Sequence, residues 1–97
     1  AAGIRVVGVA PGNIQTALSN DFVDDSGKNI SQQFQEYMED QTALNRSAAP
    51  MEIANVAFWV TTDQASFVNG TIITVDGGFS HGFGSNELKN KQNPGQF

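Results

Sequence analysis

Residues 3–16, GIRVVGVAPGNIQT, decide the fold. Ile4, Val6, Val7, Val9 and Ala10 make a nearly continuous apolar run, broken only by Arg5 and Gly8. β-Branched residues suit a pleated backbone, and an apolar run without clean alternation predicts a strand over 4–10 that is covered on both faces. Strands of that kind belong to parallel sheets with helices packed above and below. Pro11 has no amide hydrogen for a ladder and Gly12 tolerates unusual dihedrals, so the strand is expected to stop there. Asn13, Ile14, Gln15 and Thr16 then emerge at the carboxyl end of a parallel strand, where open α/β sheets bind their ligands.

Upstream, Ala1-Ala2-Gly3 reads as the end of a helix, with Gly3 in the left-handed position just after it. A helix ending there begins before the first residue, so the expectation is a piece of something longer. Downstream, 17–49 is polar and mixed. Asp21, Asp24, Asp25, Ser26 and Gly27 read as a loop whose spacing does not fit a calcium site. An amphipathic helix comes next, with Ile30, Phe34, Tyr37, Met38 and Gln41 at helical spacing and Asn29 as its cap. A segment this long between core elements reads as a lid or binding loop.

Pro50 begins the strongest predicted helix, because proline suits the first helical position and Glu52 complements the positive end of the helix dipole. Ile53, Val56, Ala57 and Val60 share one face, Phe58 and Trp59 widen the apolar surface, and the helix fades between Thr61 and Asp63. Asn69-Gly70 is a turn before a second β-branched strand, Thr71–Val75, stopped by Asp76-Gly77-Gly78. From Phe79 onward the chain is rich in Gly, Asn, Gln and Lys, which predicts a flexible polar tail.

Bulk composition narrows the function classes. Ninety-seven residues with 39% hydrophobic content make one small domain at most. A net charge of −5 with five scattered basic residues argues against a nucleic-acid partner. No apolar run reaches the length of a membrane span and no leader opens the chain, which with the absence of cysteine predicts a cytoplasmic protein without disulfides. The triplets beginning at Asn29, Asn45 and Asn69 read as chance rather than glycan acceptors. His81, the sole histidine, has too few ligand-type neighbours for a metal site.

Two parallel strands joined through a helical crossover leave open edges, and one strong helix cannot cover both faces. Ordering the backbone costs about 1–2 kcal/mol per residue, so a segment like this needs more sheet than it carries.

The order GIRVVGVAPGNIQT, PMEIANVAFWVTTDQASFVNG, TIITVDGG resembles the carboxyl-terminal part of the short-chain dehydrogenase/reductase family. The likeness covers residues 1–78, with 17–49 loosely matched as the substrate-binding lid and 79–97 unmatched. It implies the carboxyl-terminal part of an α/β, Rossmann-type, doubly wound parallel sheet. It also implies NAD or NADP as cofactor and an oxidoreductase acting on a small-molecule alcohol or carbonyl compound. By position, Pro11 and Gly12 close the sixth strand and Asn13, Ile14 and Thr16 lie beside the nicotinamide. The Ile14 backbone meets the carboxamide, and the Thr16 hydroxyl meets the carboxamide or the pyrophosphate. The last helix and strand imply a homo-oligomer, dimer or tetramer, with Phe58, Trp59 and Phe67 adding to the contact. The tail is expected to reach over a neighbouring subunit's site.

The family's glycine-rich phosphate loop and its Tyr-x-x-x-Lys pair are absent. Tyr37, the only tyrosine, has Gln41 four residues after it. No catalytic residue is therefore assigned here, and the segment alone is expected to be inactive. Two other classes compete. Gly78-Phe79-Ser80-His81-Gly82 fits the G-x-S-x-G pattern of serine hydrolases, which requires a strand, a sharp turn and then a helix; Phe83-Gly84-Ser85-Asn86 reads as a poor helix start. A non-catalytic oligomerisation or scaffold module needs no chemistry at all.

Overall fold

A computed structural model describes residues 3–15, 27, 30–82 and 84–95. Two parallel strands, β1 (Val7–Pro11) and β2 (Thr71–Val75), form a sheet in which Val7 faces Thr71 and Pro11 faces Val75. Between them run α1 (Ile30–Asp40) and α2 (Pro50–Val60), and α3 (Asn86–Gln92) comes after β2. Short 3-10 turns lie at Asp63–Ala65 and Phe79–His81.

β1 begins later than the apolar run predicts and includes Pro11. At its start the Val6 amide donates to the Asn69 side chain at 2.9 Å, and the Val6 carbonyl accepts from Gly70 at 2.9 Å. The turn before β2 thus captures the chain before the ladder opens. Pro11 keeps its place because it is the last residue, and Gly12 supplies the next amide, donating to the Val75 carbonyl at 2.9 Å. Gly3 has the left-handed φ expected of it, +72°.

β2 and α2 keep to the predicted bounds. The Glu52 carboxylate accepts the Ala49 amide at 3.0 Å, satisfying one of the orphan donors at the helix start. At the other end, Thr61 and Thr62 hydroxyls donate to the carbonyls of Phe58 and Trp59 at 2.6 and 2.7 Å. These bonds end the helix where its carbonyls run out of partners. Ile53, Val56 and Val60 are half-buried, whereas Ala57, read as part of that face, is exposed. α1 ends at Asp40, so Gln41 lies just beyond it. The Asn29 cap and the Asp21–Ser26 part of the loop fall outside the described residues.

α3 departs from the expected flexible tail, since NELKNKQ carries no apolar stripe. Ser85, read as a poor helix start, caps it: its Oγ accepts the Leu88 amide at 3.1 Å.

Among the described residues Ala65 is the only buried hydrophobic one, while Val6, Phe58, Phe67 and Ile72 stand 71, 72, 101 and 69% exposed. The radius of gyration is 17.2 Å, against about 13 Å for a compact chain of this length. The molecule is a slab, 57 × 37 × 17 Å, with exposed apolar residues on its sheet and helices.

Candidate functional site

Both parallel strands end on the same rim, at Pro11 and Val75, and the residues just past each strand build a corner there. Gly12 lies so close to Asp76 that a Cβ on it would stand 2.6 Å from the Asp76 Cβ. Asn13 then turns toward the residues before α2. Its carbonyl accepts the Ala48 amide at 3.0 Å, and the Gln15 amide donates to the Ala48 carbonyl at 2.9 Å. This is a one-residue parallel bridge between Ile14 and Ala48. In such a bridge the flanking residues make the bonds, so the Ile14 N–H and C=O point the other way. Among the described residues neither has a hydrogen-bond partner.

The Asn13 side chain is tied from a different direction. Its Nδ2 donates to Ser47 Oγ at 2.7 Å, and the Ser47 hydroxyl donates to Glu39 Oε1 at 2.7 Å. Gln35 Nε2 donates to the same Glu39 oxygen at 3.3 Å. The corner is thereby linked through two side chains to the inner face of α1.

A cleft of about 550 Å³ opens beside the corner, lined by Pro11, Gly12, Asn13, Met38, Phe79 and Ser80 among others. Met38 brings α1 into its wall. Behind the corner a smaller cavity of about 90 Å³ is lined by Asn13, Leu44, Arg46, Glu52 and Asp76. There Arg46 grips Glu52 with both guanidinium nitrogens, at 2.7 and 2.8 Å. The Arg46 bonds, with the Ala49 amide, hold the Glu52 carboxyl down to about 2.

Asp76 closes the far side. Its carboxylate accepts the Gly78 and Ser80 amides at 3.0 and 2.8 Å. The Ser80 hydroxyl first, then these amides, keep its carboxyl below the ordinary carboxylate range. Ser80 is therefore engaged with Asp76, within a three-residue 3-10 turn that ends at Gly82. A nucleophile elbow needs an α-helix after the strand, and none starts here. Among the described residues no cluster of metal-ligating side chains occurs. No described helix is long and apolar enough to cross a membrane.

Of the site residues read from sequence, Pro11, Gly12, Asn13 and Ile14 come together on one rim, and Thr16 lies outside the described residues. Sequence reading missed Ser47, Ala48 and Asp76 as parts of the corner. The Asp76-Gly77-Gly78 stop signal held a clue, since glycines are needed where backbone approaches closely. At Gly77, φ is +62° and a Cβ would stand 2.7 Å from Thr42.

Residues 1–80 match the family profile described as enoyl-(acyl carrier protein) reductase. The chain is similar to an L-rhamnose 1-dehydrogenase (NAD(P)(+)) of Sphingomonas sp. (strain SKA58), 38% identical over 76 residues, covering 78% of this chain and 28% of that protein. Among solved structures, a short chain dehydrogenase family protein from Francisella tularensis superposes with a TM-score of 0.68 at 31% identity, covering 81% of this chain and 34% of the other. A 4-hydroxyisoleucine dehydrogenase complexed with NADH superposes with a TM-score of 0.65 at 28% identity, covering 81% and 30%. The chain spans about 28% of the length of the curated relatives it matches. Its parallel strands and intervening helices are the carboxyl-terminal part of a Rossmann-type, doubly wound α/β sheet. The chain belongs to the short-chain dehydrogenase/reductase family.

Proposed function

We propose that Pro11, Gly12, Asn13, Ile14 and Thr16 form the nicotinamide side of a dinucleotide site. The chain then works as the carboxyl-terminal part of an NAD(P)-dependent oxidoreductase that interconverts an alcohol and a carbonyl compound. The observation that carries this reading is the Ile14 backbone, whose N–H and C=O face away from Ala48 with no partner among the described residues. A primary carboxamide offers an acceptor and a donor across a similarly short span. A donor and acceptor fixed by a sheet orient such a group without loss of side-chain entropy. When bound, the nicotinamide supplies hydride exchange between its C4 and the carbonyl carbon of the substrate.

This chain's own residues hold the ring and shape the cleft. Gly12 lets the backbone run against Asp76, and Asn13 anchors the turn to Ser47. Proton transfer falls to residues outside the segment, because Tyr37 is 59% exposed and Gln41, four residues on, is no cation. NAD and NADP fit this corner equally, since the nicotinamide half is common to both. Two relatives support a nicotinamide cofactor, one named for NAD(P)(+) and one solved with NADH. The exposed Phe58, Phe67 and Ile72 support a homo-oligomer through α2 and β2. The cytoplasm is the compartment this reading favours.

The test is amide hydrogen exchange with and without NADH in the full-length enzyme. Protection of the Ile14 amide is expected. Ile14→Pro removes the donor and should weaken NADH binding by about tenfold, the scale of one lost hydrogen bond. An enzyme that binds NADH without protecting Ile14 overturns the assignment.

A further inference from the structure

We propose that Asn86 is a positioning residue: from the far end of the chain it fixes the carboxyl end of α1, and with it the Met38 wall of the cleft. The inference rests on the reading that this cleft receives the reacting groups.

The last carbonyls of a helix have no intrahelical donors and need partners from elsewhere. For the last residue of α1 the partner is Asn86, whose Nδ2 donates to the carbonyl of Asp40 and to that of Thr42 just beyond the helix, each at 2.7 Å. Asp40 returns the contact. One carboxylate oxygen accepts the Glu87 amide at 2.8 Å and the other accepts the Ser85 hydroxyl at 2.6 Å. Each helix thus caps the other across more than forty residues of sequence. Among the described residues Thr42 and Asn86 are the two buried polar ones, 4 and 9% exposed, and each buried group is satisfied. A helix of seven residues without an apolar stripe does not persist alone in water, so α3 exists because of this clasp.

The clasp reaches the cleft through one more bond. The Thr42 hydroxyl donates to the Met38 carbonyl at 2.6 Å, and Met38 lines the cleft. Beyond Thr42 the chain is stitched onward, with the Leu44 amide on the Gly77 carbonyl at 3.1 Å and Ser47 on Asn13. Residues 38–48 are therefore a fixed wall held from both ends, by the corner and by the tail.

The experiment uses the full-length enzyme with Asn86→Ala, Asp40→Ala, Asp40→Asn and the double alanine variant. Hydrogen exchange is measured at the amides of 31–40. Kinetics use NADH or NADPH with 2,3-butanedione or cyclohexanone, or NAD+ or NADP+ with L-rhamnose, whichever pair the enzyme turns over. Both alanine variants should speed exchange across α1 by about tenfold and raise the substrate KM by about tenfold, with kcat and NADH binding kept within about twofold. The double variant should match the single ones, because they break one clasp. Asp40→Asn, which keeps an acceptor for the Glu87 amide, should bring exchange and KM most of the way back to those of the unsubstituted enzyme. Unchanged exchange across α1 in Asn86→Ala overturns the proposal. So does an equal fall in kcat, NADH binding and thermal stability, which would mark a general folding lesion. If the unsubstituted enzyme binds no NADH, the reading of the site fails, while exchange across α1 still decides the clasp.

Discussion

Gly12 and Asp76 occupy one another's space: a methyl group on Gly12 would lie 2.6 Å from the Asp76 Cβ and 2.7 Å from its Cα. The obstructing atoms belong to the root of the side chain and the backbone, so nothing can rotate away. This contact sets where the chain turns after β1, and so where Ile14 is aimed.

Gly12→Ala should therefore shift the corner and destabilise the full-length protein by about 1–3 kcal/mol, as overpacking does. NADH binding should weaken with it. Gly8→Ala is the control, because its nearest neighbour is Ile72 Cγ1 at 3.1 Å, the movable part of a side chain. Thermal melts of both variants check the contrast, and equal losses would show that the Asp76 contact is not special.

Asn13 and Ser47 should be coupled. Their bond, at 2.7 Å, is continued by Ser47 to Glu39 on α1. Asn13→Ala and Ser47→Ala are each expected to cost about 1 kcal/mol. The double variant should cost little more than either, with a coupling of about 0.5–1 kcal/mol. Denaturant unfolding of the four proteins closes the cycle, and simple additivity would disconnect the corner from α1.

Arg5 interrupts an otherwise apolar run for a reason visible only in three dimensions. Its guanidinium spans two carbonyls, Val68 at 3.2 Å and Thr62 at 3.4 Å, which tie the start of β1 to the loop after α2. A lysine offers a point charge instead of a fork. Arg5→Lys is expected to lower stability by about 0.5–1.5 kcal/mol, and Arg5→Met by somewhat more. Equal stability of Arg5→Lys and the parent would mean the fork is idle.

α2 and β2 were legible in the sequence because their ends are written locally: Pro50 and Glu52 at one helix end, Asn69-Gly70 and Asp76-Gly77-Gly78 around the strand. The Pro11-Gly12 corner was legible for the same reason. The true start of β1 was not, since it depends on Asn69, more than sixty residues away, taking the Val6 amide. α3 was invisible because its composition carries no apolar stripe and its local cap, Ser85, is reinforced by Asp40 from far away in the sequence. The site shows the same division. Asn13 and Ile14 come directly after a turn signal, whereas Ser47, Ala48 and Asp76 reach the corner only through chain crossings that periodicity does not record.

Acid should loosen the start of α2 before it touches the hydrophobic contacts. Glu52 is held at about 2, below its ordinary 4.5, chiefly by the Arg46 hydrogen bonds and then by the Ala49 amide. A carboxyl depressed in the folded state stabilises that state above its unfolded value, and the benefit is lost as pH falls toward the folded one. The window for Glu52 thus runs from about 4.5 down to about 2. Both side chains are roughly half exposed, so the effect is modest and screened by salt. Asp40 and Asp76 are lowered as well, by the Ser85 and Ser80 hydroxyls first, and add slope of the same sign. Glu52→Gln should flatten the acid limb of the stability curve between those limits and leave stability at neutral pH slightly lower. Melting temperatures of the parent and Glu52→Gln, taken at low salt across this range, make the comparison. Parallel curves would remove Glu52 from any part in the acid response.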